Sequence, residues 1–168
     1  MPNRARLATP AARLCRVSLD GEALTRLSPV LEADRAQAVA DLLVENSFAP
    51  LRALDETAGP FALRLSIVEG RLAFDIRSEA DQPLHIVVLA LGPFRRLIKD
   101  YHLVVESHEQ AVIQGGHEAS IQAIDMGRRG LHDEGAGLLR ERLEGRITLD
   151  FETARRLFTL VCALHQRI

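Results

Sequence analysis

The chain has 168 residues, 47% of them hydrophobic, and a formal net charge of −2. This length suits one domain with a core that needs no disulfides. The negative charge argues against a general polyanion-binding protein, which carries a basic surplus over the whole domain. With 4% aromatic residues and no basic stripe, nucleic acid is also an unfavourable partner. Any recognition of an anion must therefore be local.

The cysteine usage and the apolar runs predict a cytoplasmic protein. Cys15 and Cys162 each stand alone in apolar surroundings, without a C-x-x-C pair, which is typical of reduced thiols. The longest apolar run, 86–91, is far shorter than the roughly 20 residues of a membrane span. The arginines near the start are followed by no apolar segment of an export signal.

The N-terminal region divides into an arm and a first strand. Residues 1–13 form a basic, aperiodic arm that we expect to be flexible, and residues 14–168 form a single globular domain. Apolar and polar residues alternate over 14–19, which predicts a half-buried strand before the Asp20-Gly21 turn. Asp34 is the predicted N-cap of the first helix. The apolar face of that helix is predicted to contain Ala36, Val39, Ala40 and Leu43.

The segment "FALRLSIVEGRLAFDIR", residues 61–77, predicts an antiparallel hairpin. A two-residue turn at Glu69-Gly70 places three apolar pairs on one face, and it pairs Arg64 with Asp75 on the other. The predicted apolar pairs are Ile67 with Leu72, Leu65 with Phe74 and Leu63 with Ile76. Residues 84–91 are apolar on both faces and predict a central strand.

The rest of the chain has helical periodicity. A helix entered through Gly92-Pro93 is predicted to end at Gly115-Gly116, and Asp150 is predicted to cap a strongly apolar last helix. The core-facing stripe of the first of these helices is predicted to contain Phe94, Leu97, Ile98, Tyr101, Val104, Val105 and Val112. The predicted fold class is α+β, with a small, mainly antiparallel sheet packed against helices and a helical C-terminal third.

The stretch "GRRGLHDEG", residues 127–135, is the most unusual one in the chain. The ladder Asp125, Arg129, Asp133 favours a continuous helix by about 0.2–0.5 kcal/mol per pair. Four glycines between 127 and 137 oppose it by about 1 kcal/mol each relative to alanine. We therefore predict a break between Met126 and Glu134, with Asp133 capping a helix that resumes and ends near Gly145.

Two hypotheses follow for this corner. A broken helix exposes backbone donors beside Arg128, Arg129 and His132, which is the composition of an anion pocket. Alternatively, the arginines pair with nearby carboxylates in a closed structural knot, because ion-pair networks resemble functional sites. The predicted carboxylates of the knot are Asp125, Asp133 and Glu134.

Two more arginine pairs lie elsewhere. Arg95 and Arg96 fall in the first turn of a helix, where cations are disfavoured, so they suggest a carboxylate or phosphate ligand. The alternative is an ion pair between Arg96 and Asp100, four residues on. The pair at 155–156 lies within reach of Glu152 and is assigned no function.

No cofactor or metal site is predicted. "HEQAV" and "HEASI" begin like H-E-x-x-H but lack the second histidine. His102 and Glu106 could share a cation across one helical turn, but a solvated polar face is the simpler interpretation. The sequence contains no phosphate-binding glycine-rich loop and no nucleophile elbow.

Three segments carry a resemblance to a known family: "GPFRRLIKDY" at 92–101, "IQAIDMGRRGLHDEG" at 121–135, and "RLEGRITLDFETARRLFTLVCALH" at 142–165. In these segments the chain resembles uncharacterised protein family 0262 of alphaproteobacteria. The similarity runs from the first strand to the C-terminus. The family has no assigned catalytic residues, so the resemblance implies no reaction.

The sequence leaves two functions open. One is a binding or regulatory protein that recognises an anionic ligand, or an acidic patch on a partner, through the arginine-rich corner. The other is a small hydrolase or transferase acting on a phosphorylated metabolite, with His132 as acid and base and Arg128 and Arg129 holding phosphate. We also expect a homodimer, since many apolar helical positions face a small sheet.

Overall fold

A computed structural model describes residues 11–21 and 28–165 of the chain. In these residues the fold is α+β, with a helical C-terminal region, as the sequence predicts. Short 3₁₀ turns occupy Ala53–Asp55 and Gly92–Phe94. The main elements are β1 (Leu14–Asp20), α1 (Pro29–Val44), β2 (Phe48–Pro50), β3 (Phe61–Val68), β4 (Arg71–Ser78), β5 (Pro83–Ala90), α2 (Arg95–Ile113), α3 (Glu118–Leu143), β6 (Ile147–Leu149) and α4 (Phe151–Leu164).

The predicted hairpin forms in the predicted register. β3 and β4 are antiparallel, Leu65 lies opposite Phe74, and Arg64 lies opposite Asp75. Glu69 and Gly70 both have positive φ angles, 51° and 73°, which is the backbone of a tight turn that matches the twist of its strands. The inward side chains of both strands are buried in the core, except that of Ile67, which is half-buried.

The main sheet has the strand order β1-β3-β4-β5 and is mixed, because β1 runs parallel to β3. The prediction of 84–91 as a central strand is wrong. Among the described residues, β5 pairs with β4 alone and is an edge strand. Its outward residues Ile86 and Val88 are 56% and 41% exposed, so its second apolar face belongs to the surface. An apolar face toward solvent cannot be told from a buried one by composition.

The helices cover the inward face of this sheet. α1 packs against β1, and α4 packs against β1 and β3. Most of the predicted α2 stripe is buried, but Val104 is half-buried and Val112 is 54% exposed, because the end of α2 extends beyond the core with the start of α3. Asp150 caps α4 as predicted, by accepting a hydrogen bond from Thr153 N at 2.8 Å. α2 ends at Ile113, just before the predicted glycines.

The first helix differs from its prediction. α1 begins at Pro29, and the cap is Ser28, whose hydroxyl accepts a hydrogen bond from Leu31 N. Asp34 therefore lies inside the helix, and the buried positions are Ala38 and Leu42. The predicted apolar face is shifted because Asp34, a charged residue, points inward toward α2 and α3. Hydrogen bonds from side chains of those two helices stabilise the carboxylate in this inward position.

The predicted break in "GRRGLHDEG" is wrong, because α3 is continuous from Glu118 to Leu143. The predicted cap at Asp133 is wrong for the same reason. Burial of Leu139 and Leu143 stabilises the helix by about 1.5–3 kcal/mol each. This offsets the helix-propensity cost of the four glycines, which is roughly 4 kcal/mol relative to alanine. Gly135 also has a packing role, since a Cβ there would lie 2.5 Å from the ring of Phe158.

Two regions complete the fold. The short strands β2 and β6 pair antiparallel in a separate two-stranded sheet. Residues 1–10 of the predicted arm lie outside the described residues. In the described part of the arm, the carbonyls of Ala12 and Arg13 accept hydrogen bonds from the backbone N–H groups of Phe48 and Phe61, respectively. Across residues 11–21 and 28–165, each helix is too short or too polar to cross a lipid bilayer.

Candidate functional site

The structure separates the five predicted site residues. Arg128 and His132 lie one turn apart on the inner side of α3, whereas Arg129 is exposed on the same helix. Arg96 forms ion pairs with Asp100 at 3.1 Å and Glu134 at 2.6 Å. Arg95 is also exposed at the start of α2. Only Arg128 and His132 of the predicted set line the same cleft.

This cleft, which we call the three-helix cleft, lies between α1, α3 and α4 and has a volume of about 200 Å³. Residues one or two turns apart on each helix point into it, because each helix presents a polar strip beside its buried face. Its lining residues are Asp34, Gln37, Ala38 and Asp41 of α1, Arg128 and His132 of α3, and Glu152, Arg155, Arg156 and Thr159 of α4.

Asp34 joins three of the helices at the inner end of the cleft. Its Oδ2 accepts a hydrogen bond from the Tyr101 hydroxyl at 2.5 Å and one from Arg128 Nη1 at 3.3 Å. Burial and the Asp34 carboxylate raise the pKa of Tyr101, so the hydroxyl keeps its proton and remains a donor. Arg128 is thus anchored by the carboxylate of Asp34, which lies 94 positions earlier in the chain.

His132 is an uncharged group in this cleft at neutral pH. Burial, aided by the positive charges of Arg155 and Arg128, lowers the pKa of His132 from 6.5 to about 4. Its ring stacks at a tilt on Tyr101, with centroids 5.2 Å apart. His132 therefore adds a hydrogen-bonding group to the cleft and no positive charge.

The ring nitrogen Nε2 of His132 lies 3.2 Å from the hydroxyl of Thr159. That hydroxyl donates its proton to the carbonyl oxygen of Arg155, at 3.2 Å. Because a threonine hydroxyl has a single proton, Nε2 is then the donor toward Thr159, and Nδ1 carries the lone pair. This arrangement orients the imidazole but does not make Thr159 an activated nucleophile.

Arg155 and Arg156 supply the other two cations of the cleft. Arg156 lies 3.6 Å from Asp41 (Nε to Oδ2) and 3.6 Å from Glu152 (Nη1 to Oε1). Arg155 contacts Glu152 at 3.3 Å through Nη1 and Asp133 at 3.1 Å through Nε. The contact with Asp133 is not aligned as a hydrogen bond, which leaves Nε of Arg155 buried without an acceptor.

The ion pairs of Arg128 and Arg156 in the cleft are loose. Charge-assisted hydrogen bonds are usually about 2.7–2.9 Å long, and the pair of Arg96 with Glu134 on the surface reaches 2.6 Å. In the cleft, the guanidinium-to-carboxylate distances of Arg128 and Arg156 are 3.3 to 3.6 Å. The guanidinium groups therefore retain donors that an oxygen-rich ligand can use.

The predicted structural knot does not form with its predicted members. Asp125 lies 3.5 Å from His108, Asp133 contacts Arg155, and Glu134 contacts Arg96. None of the three carboxylates pairs with Arg128 among the described residues. Arg128 turns instead to Asp34 of α1, whose Oδ2 lies 3.3 Å from its Nη1. The predicted pair of Arg96 with Asp100 is confirmed.

Sequence reasoning missed Arg155 and Arg156 as members of the cleft, although it noted their proximity to Glu152. A signal was present, since two consecutive arginines interrupt the most deeply buried helix of the chain. Asp34 and Asp41 were missed because the predicted helix began at Asp34 and the opposite face was taken as the core. Within the described residues, no group of three histidine, cysteine or acidic residues is arranged to hold a metal ion.

Comparison with known proteins places these features in a family. A family model described as "Uncharacterised protein family (UPF0262)" matches residues 11–167. A UPF0262 protein of Granulibacter bethesdensis is 65% identical, over 93% of this chain and 91% of the relative. One of Acidiphilium cryptum is 56% identical, over 92% of this chain and 93% of the relative.

A third relative, from Brucella anthropi, is 51% identical over 95% of this chain and 98% of its own length. No solved structure matches the chain. The match of the family model, which includes all residues of the three-helix cleft, shows that the chain belongs to the uncharacterised protein family UPF0262.

Proposed function

We propose that the protein is a binding module that takes up a small anionic ligand, carrying a carboxylate or a phosphate, in the three-helix cleft. The observation that carries this proposal is the state of Arg155 and Arg156. One has a buried Nε without an acceptor, and the other lies 3.6 Å from both of its carboxylates. The long contacts of Arg156 leave guanidinium donors from which oxygen atoms of a ligand can accept hydrogen bonds.

The other lining residues favour a ligand with mixed polarity. Three arginines and three carboxylates line the cleft, so the protein's own charges balance there. An entering phosphate or carboxylate competes with Asp41 and Glu152 for Arg156. A ligand that also carries an ammonium group can pair with the carboxylates it displaces. Phosphoserine combines both groups and is a suitable probe, beside inorganic phosphate.

Calorimetric titration tests the proposal. We expect phosphoserine and phosphate to bind the wild-type protein, and we expect Arg155→Gln with Arg156→Gln to weaken binding by about tenfold or more. Arg129→Gln is the matched control, because it removes an exposed arginine of α3 that does not line the cleft. Absence of binding in the wild type, or equal weakening by Arg129→Gln, would contradict the proposal.

An enzyme is a second candidate, and the contact of His132 with Thr159 is the observation in its favour. A hydrolase or transferase would use the uncharged His132 as a base toward a bound phosphorylated metabolite. The Thr159 proton, however, is already donated to Arg155 O. Turnover of a general phosphate monoester that is lost in His132→Gln, with phosphate affinity kept, would favour the enzyme over the binding module.

We also propose a homodimer. Exposed apolar side chains lie on the part of α2 and α3 that extends beyond the core, where a second copy would bury apolar surface. These side chains are Val112, Ile113 and Met126. Sedimentation velocity should give a dimer that Ile113→Asp with Met126→Asp dissociates. A monomer at every concentration of the wild type would end this proposal.

A further inference from the structure

A second concave region, which we call the edge groove, lies away from the three-helix cleft and shares no residue with it. It has a volume of about 550 Å³ and runs between the edge of β5 that no described strand pairs with and the segments beside the small sheet. Its lining residues are Leu51, Arg52, Asp55, His85, Ile86, Val87, Gly145 and Arg146.

The β5 wall of the groove presents backbone groups. Val88 O accepts a hydrogen bond from Arg146 Nη1 at 3.2 Å, so the backbone groups of Val88 point away from β4. Leu91 N donates to Gly70 O, in the turn just before β4, so the backbone N–H and C=O groups of the odd-numbered residues in 85–91 face β4. Because the direction alternates along a strand, the N–H and C=O of Ile86 face the groove. No other described backbone pairs with them there.

The opposite wall is fixed. Leu51 N donates to Arg146 O at 2.9 Å, which continues the pairing of β2 with β6 up to the groove. Edge strands with exposed apolar side chains tend to pair with another strand unless something covers them. Arg146 covers only the carbonyl of Val88, and Ile86 stays open.

The charges of the groove select the partner. Arg52 and Arg146 carry two positive charges against the single carboxylate of Asp55. Within the described residues, neither arginine forms an ion pair at 4 Å or less, and Arg52 also makes no side-chain hydrogen bond. A peptide strand that binds beside β5 lies close to the two guanidinium groups. Its side chains on the outer face of the sheet lie next to those of Ile86 and Val88.

We propose that the edge groove binds an extended acidic peptide segment of a partner protein as an additional strand beside β5. The backbone of the peptide pairs with the N–H and C=O of Ile86, and its apolar side chains pack on Ile86 and Val88. An acidic side chain or the C-terminal carboxylate binds Arg52 and Arg146. Main-chain pairing supplies affinity and the side chains supply selectivity, as in other strand-addition sites.

Fluorescence polarisation of the whole protein with a labelled peptide of alternating valine and glutamate tests this proposal. Ile86→Pro removes the outward N–H without removing a bond between β4 and β5, because proline is tolerated on the open side of an edge strand. Ile86→Thr is its matched control and keeps the N–H. Arg52→Gln removes one guanidinium, and Arg129→Gln is the control for lost charge.

We expect Ile86→Pro and Arg52→Gln each to weaken binding by about tenfold or more, and both controls to leave it unchanged. A lysine-containing peptide, and an acidic peptide methylated on alternate backbone nitrogens, should not bind. The methylated peptide decides the matter if Ile86→Pro fails to fold. Comparison of a free-acid with an amidated C-terminus identifies which carboxylate binds.

Three results would overturn the proposal. One is that the acidic peptide does not bind, and another is that the backbone-methylated peptide binds equally well. The third is that the groove is occupied by β5 of a second copy, which would appear as a dimer that Ile86→Pro dissociates in the absence of peptide. Phosphoserine binding in the three-helix cleft is independent of each of these outcomes.

Discussion

Gly135 and Gly130 lie on opposite faces of α3. The space that a Cβ atom would occupy differs between the two positions, which predicts opposite effects of substitution by alanine. A Cβ at 135 would lie 2.5 Å from the Phe158 ring, whereas one at 130 meets no atom within 4 Å. We therefore expect Gly135→Ala to lower the free energy of unfolding by about 1–3 kcal/mol. Gly130→Ala should raise it by about 0.5–1 kcal/mol, because alanine favours the helix.

Urea unfolding of the two variants and the wild type measures both effects. Gly137→Ala is a second control, since position 137 is also open. If Gly135→Ala were as stable as Gly130→Ala, the close approach of α3 to Phe158 would be wrong, and with it the position of Arg128 and His132 in the cleft.

His132 predicts a dependence of stability on pH. Its pKa is about 4 in the folded protein and 6.5 when unperturbed, so the unfolded state binds a proton more readily. This contribution to stability is present above about pH 6.5 and is lost as the pH falls toward about 4. The loss amounts to at most about 3 kcal/mol at the lower end.

His132→Gln should remove this part of the pH dependence. Unfolding free energies of variant and wild type, measured from neutral pH down to about pH 4, give the difference between the two curves. The carboxylates of the cleft titrate in both proteins and cancel in that difference. A constant difference over the whole range would mean that His132 is not buried in an uncharged state.

At the level of elements, the turn of the β3–β4 hairpin makes a separate prediction. Glu69 has a φ of 51°, a left-handed conformation that asparagine tolerates better than glutamate. Glu69→Asn should therefore raise the free energy of unfolding by a few tenths of a kcal/mol, whereas Gly70→Ala should lower it by about 1 kcal/mol. Thermal melts of both variants measure this, and a destabilised Glu69→Asn would contradict the turn geometry.

The same hairpin shows what a sequence determines locally. Its register follows from one turn and from alternation on two faces, and a shift by one residue would expose every inward side chain. β5 is the contrasting case. Ile86 and Val88 make its outer face apolar, and nothing within the strand says whether another layer covers that face.

α3 shows where summed propensities fail. The low helix propensity of 127–137 counts against an isolated helix, but the burial of Leu139 and Leu143 and the contact of Gly135 with Phe158 depend on other elements. The break predicted from "GRRGLHDEG" is absent for that reason. A continuous helix also places Arg128 and His132 on one face, and both line the three-helix cleft.

At the scale of the whole molecule, the cleft depends on contacts that no local pattern contains. Asp34 lies 94 positions before Arg128, Arg156 comes from a third helix, and the parallel pairing of β1 with β3 is also non-local. The sequence could therefore identify Arg128 and His132 as candidates but not the carboxylates and the second arginine pair that surround them.

The most direct test of the three-helix cleft as an anion site is thermal unfolding with and without phosphoserine. A ligand that binds only the folded state stabilises it by about 2.7 kcal/mol at a hundredfold excess over its dissociation constant. We predict that phosphoserine raises the melting temperature of the wild type and of Arg129→Gln equally, and that of Arg155→Gln with Arg156→Gln by about half as much or less. A wild-type melting temperature that is indifferent to phosphoserine and phosphate, beside a strongly destabilised double variant, would contradict the account and make these arginines purely structural.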